Sequence, residues 1–213
     1  LTPAQLSQIV NWDFRALGVT FTVTYPPMLL ILSLPCDVAN PTVFFGPSPQ
    51  IAGWDAQAQA YVMQSPTTPL FRGRSYWIRF TSSTPVNITN CDDQAPLRWF
   101  LRRGWNLVGN GFSFDVTLSF ANATVLLNSQ SQGTWQQLNQ AQDDRRQLLG
   151  SFLWLFDGIA YRVLTDASLI SSVPAVFNPT TVLKRGEGGW LFCNQDNVEV
   201  HLSAPAMASS RVH

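Results

Sequence analysis

The sequence predicts an all-β chain, a β-sandwich or open barrel built from two diverged internal repeats, with an N-terminal helix-strand arm and minor helix. Three observations lead there. Short alternating or apolar runs are broken by Gly, Pro and Asx turns along nearly all of the 213 residues, the pattern of many short strands. The run Leu70-Phe-Arg-Gly-Arg-Ser-Tyr-Trp77 returns as Leu183-Lys-Arg-Gly-Glu-Gly-Gly-Trp190, with Leu, Arg, Gly and Trp in the same places. Upstream of each copy stand an aromatic-Asp turn and a tyrosine strand, Trp54 and Asp55 before Tyr61, then Phe156 and Asp157 before Tyr161.

Residues 1–25 read as the arm. Thr2 is a suitable N-cap, Pro3 fits the first helical position, and Leu6, Ile9 and Val10 share a face, so a short helix is expected. In the strand that follows, Val19, Phe21, Val23 and Tyr25 alternate with Thr20, Thr22 and Thr24, one apolar face against one polar face. It has no counterpart of similar quality before the second repeat, so it reads as an extra strand and a candidate for donation to a neighbour. Pro26 and Pro27 end it, since proline donates nothing to a ladder.

Residues 26–92 form repeat one. Met28 to Leu34 is an apolar strand, far short of the roughly 20 apolar residues of a membrane span. Prolines 35, 41, 47 and 49 mark an irregular crossing. Residues 51–63 read as a hairpin around Asp55, residues 75–80 as a strand, and Val86 to Ile88 as the closing strand. Asp92 to Pro96 is the expected linker. Residues 93–213 form repeat two, in which Trp135 to Leu149 is expected to be an inserted helix. Trp190 to Cys193 and Val198 to Leu202 are expected to pair as a last hairpin turning at Asn194 to Asn197.

Charged residues are only 12% of the chain, about half the usual share, and the formal net charge is +0 with eight Trp and fourteen Phe. No field steers nucleic acid, and near-neutral surfaces tend to associate. A chain starting at Leu1 without Met suggests an exported protein whose leader has been removed. Of three cysteines, Cys36 follows the first strand of repeat one and Cys91 its last, so they are expected to bridge in an oxidising compartment, while Cys193 reads as a small buried residue.

Catalysis has little to build on. The two histidines are the outward-facing His201 and the terminal His213, and the two glutamates are Glu187 in a turn and Glu199 facing outward on a strand, so neither a triad nor a placed glutamate pair is expected. Asp55 and Asp157 suit turn duty. No cofactor and no metal site is expected. Asn87 and Asn122 fit the N-glycosylation acceptor triplet. Trp54, Tyr61, Trp77, Trp154, Tyr161 and Trp190 read as core filling, since they recur within repeated strands, with a sugar-stacking platform formed by an exposed subset as the alternative.

Gly104-Trp-Asn-Leu-Val108, an aromatic-Asp turn, a tyrosine strand and Leu-x-Arg-Gly-x-x-x-Trp together resemble the repeated β domains of secreted and surface-anchored bacterial proteins. The hallmarks of those domains are a GWNL strand and an LxxGxGYW strand. Repeat one matches the latter at Leu70, Gly73, Tyr76 and Trp77, and repeat two at Leu183, Gly186, Gly188 and Trp190. Repeat one departs at the GWNL strand. The resemblance implies secretion and a bacterial surface origin, and no particular activity.

The expectation is therefore a non-enzymatic, extracellular structural protein. It would be a self-assembling subunit of a filament or surface layer, lending residues 18–25 to copies of itself. In the opposing arrangement the same strand folds back on its own sheet. The alternative function is a carbohydrate-binding or adhesive module of a bacterial surface protein.

Overall fold

The computed structural model describes residues 19–46, 49–91 and 95–203. The predicted N-terminal helix, most of the Asp92–Pro96 linker and the C-terminal tail lie outside those residues.

The chain is all-β, as expected, with its strands in antiparallel sheets. In order, the strands are β1 (Val19–Tyr25), β2 (Leu29–Ser33), β3 (Gln50–Asp55), β4 (Ala60–Met63), β5 (Ser75–Arg79), β6 (Thr84–Cys91), β7 (Leu97–Leu101) and β8 (Gly104–Gly109). They continue with β9 (Val116–Thr117), β10 (Ala123–Leu127), β11 (Gln130–Thr134), β12 (Leu149–Phe156), β13 (Tyr161–Leu164), β14 (Val182–Leu183), β15 (Gly188–Cys193) and β16 (Val198–Leu202). The helices are short, α1 (Pro41–Phe45) and α2 (Trp135–Gln140).

Two four-stranded sheets have the same plan. The first runs β2-β5-β3-β4 and the second β8-β15-β12-β13. In each, the strand carrying the repeated octapeptide's Trp lies between the first strand and the central hairpin. Trp77 opposes Ile31 and Ala52, as Trp190 opposes Leu107 and Trp154. Trp54 opposes Tyr61 as Phe156 opposes Tyr161.

The outer strands follow the same plan, and here the sequence reading is corrected. β1 pairs within the chain with β6 (Phe21 opposite Ile88, Val23 opposite Val86, Tyr25 opposite Thr84). β7 pairs in the same manner with β16 (Leu97 opposite Leu202, Trp99 opposite Val200, Leu101 opposite Val198). The strand read as extra thus has a counterpart in β7. β7 was missed because Arg98, Arg102 and Arg103 made its segment look like a connector. The expected last hairpin is also corrected. β15 and β16 lie in different sheets, because β8 and β12 occupy both edges of β15 while β16 inserts between β10 and β7. The segment between them, with Asn197 at φ 58°, carries the chain across.

One face of each repeated sheet packs into its own core. Leu30, Leu32, Ile51, Tyr76 and Ile78 meet Tyr25, Val86 and Ile88 of the β1–β6 ribbon. Val108, Leu153, Leu155, Leu164 and Leu191 meet Trp99, Leu101, Val125, Val198 and Val200 of the β11-β10-β16-β7 sheet. Burial on this scale, at about 25 cal/mol per Å2 of apolar surface, is the main driving force for folding. The other two faces meet each other through Ile31 and Leu107, both buried, and through ring contacts of Trp54 with Trp190 (4.9 Å) and Trp77 with Phe156 (5.2 Å).

The two halves also share backbone. Ser33 N donates to Gly186 O (3.0 Å), and Gly109 N donates to Gly73 O (3.0 Å). Gly73 and Gly186 have φ of +75° and +76°, the left-handed region open to glycine, which is why the octapeptide keeps its Gly. At this crossing Ser75 donates from Oγ to Val108 O (2.7 Å). A Cβ on Gly188 would fall on the Ser75 side chain.

The inserted helix is shorter than predicted. Thr134 and Gln137 form a capping box for α2, which satisfies orphan N–H groups. The helix stops at Ala141, whose ψ is 145°. Asp143 then caps a single turn at Arg145 (3.1 Å), and Leu148 and Leu149 turn into the core. Cys36 and Cys91 form a disulfide with Cα atoms 4.9 Å apart, tying the segment after β2 to the end of β6. Cys193 is fully buried, and burial pushes its thiol up to about 11, which keeps it protonated and inert.

Candidate functional site: an aromatic cavity between the sheets

Both aromatic-Asp turns are built alike. Asp55 Oδ1 accepts from Gln57 N (2.8 Å) and Ala58 N (3.0 Å), and Asp157 Oδ1 accepts from Ile159 N (3.0 Å) and Ala160 N (2.9 Å). The Ala160 and Ile159 N–H groups hold the Asp157 carboxyl below the usual range. These are Asx turns, so the paired aspartates do the turn duty expected of them.

The first turn does more than reverse the chain. It ends at Gln59, φ 50°, whose side-chain amide meets the Trp105 backbone twice. Trp105 N donates to Gln59 Oε1 (2.8 Å), and Gln59 Nε2 donates to Trp105 O (3.1 Å). Trp54 Nε1 donates to the same carbonyl (2.7 Å). A loop of the first half thereby fixes the start of β8 in the second half. Asn106, next along, accepts from Arg102 N (2.9 Å) and donates to Arg102 O (2.7 Å). In the GWNL strand, therefore, Asn holds the β7–β8 turn and Trp is free to face outward.

Trp54, Tyr61, Trp105, Trp154, Tyr161 and Trp190 together line one open cavity of about 460 Å3. Tyr61 is 57% exposed, Tyr161 48% and Trp105 40%. Burial, with Tyr61 as a neighbour, raises the Tyr161 phenol above its ordinary range. No residue lining the cavity carries a charge. Five of the six aromatics singled out in the sequence meet here. The sixth, Trp77, packs against Phe156 instead. Trp105 was missed, although its alternation with buried Leu107 marks it as facing the same layer.

No protein-family model, curated protein or solved structure matches the chain.

A larger cleft of about 1010 Å3 lies between the first sheet and β7. It is lined by both signs of charge, including Arg72, Arg74, Asp37 and Glu199. Arg72 is tied to Gly111 O (2.6 Å) and Ala95 O (2.9 Å), and Arg102 to Asn197 (2.9 Å). Size alone does not make it the better site, because the guanidinium groups of Arg72 and Arg102 already have partners.

The remaining sequence candidates are scattered. Asn87 lies exposed on β6, with Oδ1 accepting from Thr22 Oγ1 (2.7 Å), and Asn122 lies exposed just before β10. Val23 and Tyr25 face the first core while Thr22 and Thr24 face out. The side chains of Val19 and Phe21 lie outside the described set. His201 Nε2 meets Glu199 Oε2 at 2.9 Å. Glu187 forms an ion pair with Arg162, both side chains being largely buried.

Proposed function

We propose that this chain is a non-enzymatic carbohydrate-binding or adhesive module and that the aromatic cavity between its two repeated sheets is the binding site. The observation that carries this is the convergence of six aromatic side chains from both halves on one open cavity. Sugars offer apolar C–H faces to aromatic rings, and Tyr and Trp add a polar tip at the edge. Half-exposed rings are costly to leave in water without a partner, and the Gln59 clamp fixes the Trp105 backbone beforehand, which favours a preorganised site. The disulfide fits an oxidising, extracellular compartment. The likeness to GWNL-type domains supports a secreted bacterial surface protein. Among the described residues no helix is long and apolar enough to cross a membrane.

Glycan-array screening followed by calorimetry tests this. Tyr61→Ala and Trp105→Ala are each expected to weaken binding about tenfold, about 1.4 kcal/mol, in line with the worth of one aromatic contact. Their circular dichroism should match that of the parent, since both rings are surface-exposed. Full affinity in both variants, or no glycan bound at all, would refute the assignment.

One observation favours a second reading, the self-assembling filament or surface-layer subunit. β10 covers the outer edge of β16, whereas among the described residues the corresponding edge of β6 is unpaired. A strand from another copy would add there as β10 adds to β16, whereas β1, on the opposite edge of β6, joins copies only by exchange. Because β1 pairs in-chain with β6, the exchange would swap an existing ladder. Negative-stain electron microscopy of the chain beside a version lacking residues 1–25 is the test. Fibres or sheets from the longer form only are the expected sign of strand-mediated assembly, and monodisperse particles from it would exclude that role.

A further inference from the structure

We infer that the aromatic cavity selects for a cationic ligand group, the protonated or methylated amine of an amino-sugar; this rests on the carbohydrate-binding assignment above. The first ground is shape. Trp54, Tyr61 and Trp190 stand nearly at right angles, 72° between Trp54 and Tyr61, 88° between Trp54 and Trp190, and 76° between Tyr61 and Trp190. Their centroids lie 4.9 to 6.1 Å apart, so the three rings form a corner. A pyranose has flat faces and stacks on one ring at a time. A compact, rounded group such as an ammonium enters a corner and touches several rings at once.

The second ground is charge. Each ring face is the negative part of its quadrupole, so a cation above it is attracted, most strongly over Trp. Four of the six lining residues are Trp, and neither Lys nor Arg is among them. Nothing in the lining repels a cation, and nothing pairs an anion. A carboxylated sugar would lose hydration against like-signed ring faces without compensation. A neutral sugar would be accepted, but with no gain from the corner.

Three ligands of equal length separate the outcomes by tryptophan fluorescence and calorimetry, at a pH where the free amine is protonated. They are a fully deacetylated glucosamine oligomer, its N-acetylated form and an oligogalacturonate. Tetramethylammonium chloride is added as a competitor carrying the charge without the sugar. The expected result is at least tenfold tighter binding of the deacetylated oligomer than of the acetylated one. Oligogalacturonate should not bind, tetramethylammonium should displace the cationic ligand, and Tyr61→Leu should remove the preference. Equal or tighter binding of the acetylated oligomer would overturn the charge selection while leaving the carbohydrate assignment standing. Binding of the cationic oligomer that survives a Tyr61→Ala, Trp105→Ala double substitution would place the site elsewhere and overturn it too. No binding by any of a broad glycan panel would remove both.

Discussion

Gly188→Ala is expected to destabilise the protein by about 4 kcal/mol, a large part of the roughly 5–15 kcal/mol that holds a domain folded. The new methyl would overlap the Ser75 side chain and approach Ile31 Cγ2 to 2.9 Å. Both neighbours are buried where the two halves cross. Overpacking of this kind costs about 1–3 kcal/mol. Pushing Ser75 Oγ off the Val108 carbonyl adds about 1–3 kcal/mol for a buried group left unsatisfied. A second substitution separates crowding from a general loss of backbone freedom. Ser75→Gly destabilises on its own, yet in that background Gly188→Ala should cost less by about 1–3 kcal/mol, the coupling of residues in direct contact. Gly109→Ala is the control. Its methyl would meet the Ser33 side chain and the Glu187 backbone carbonyl (2.6 Å) as well as Ser75, so Ser75→Gly should rescue it poorly. Urea denaturation of the parent and the five variants, both double substitutions included, reads all of this, and additive effects of Gly188→Ala and Ser75→Gly would show that the crossing does not require its small residues.

The second large effect concerns the disulfide. Cys36 and Cys91 are 55 residues apart in sequence. Closing a loop of that length removes denatured-state entropy equivalent to about 4 kcal/mol. Cys36→Ala, Cys91→Ala or reduction is expected to lower stability by that order. The bridge pins the end of β6, so loss of protection should be greatest in the β1–β6 ribbon. Unreduced native protein should take up no alkylating reagent, and unreduced denatured protein one equivalent, at Cys193. Two or more equivalents from the denatured, unreduced protein would show that Cys36 and Cys91 are free. A bridge without any effect on urea stability would mean that the denatured chain is already held compact there.

Much of this fold was legible from residues alone, for local reasons. The octapeptide keeps Gly73 and Gly186 because both adopt positive φ, and the aspartates are visible because an Asx turn needs an Asp at one position. Pairing between distant strands was not legible. Nothing local in Leu97 to Leu101 says that its partner is Val198 to Leu202. The alternating Trp99 and Leu101 were masked by flanking arginines that face solvent. The last hairpin failed for a related reason: two strands separated by a polar turn look alike whether or not their edges are already taken. For the cavity, the rings could be named in advance but not sorted. A tryptophan beside a polar residue reads the same in a core and in a cleft. Trp77 and Trp190 hold the same place in their copies, and only the second reaches the opening. The cause is substitution around them, with Trp154 where the first sheet has Ala52 and Trp105 where it has Leu29.

The ribbons have a bearing on how the chain acquires its structure. β1 finds its partner only after four intervening strands have formed, and β7 waits for β16, about a hundred residues later. Both pairings are remote along the chain, and loop closure must precede any reward from them. Slow, non-local folding is the expected kinetic character. During synthesis the first half can close on its own ribbon, yet the Gly73 carbonyl and the Ser33 amide must wait for residues 109 and 186 to emerge. Until then the faces that later enclose the aromatic cavity stand open, and a protein rich in tryptophan passes through an aggregation-prone stage. Folding that waits until Leu202 is free to pair would avoid that interval altogether.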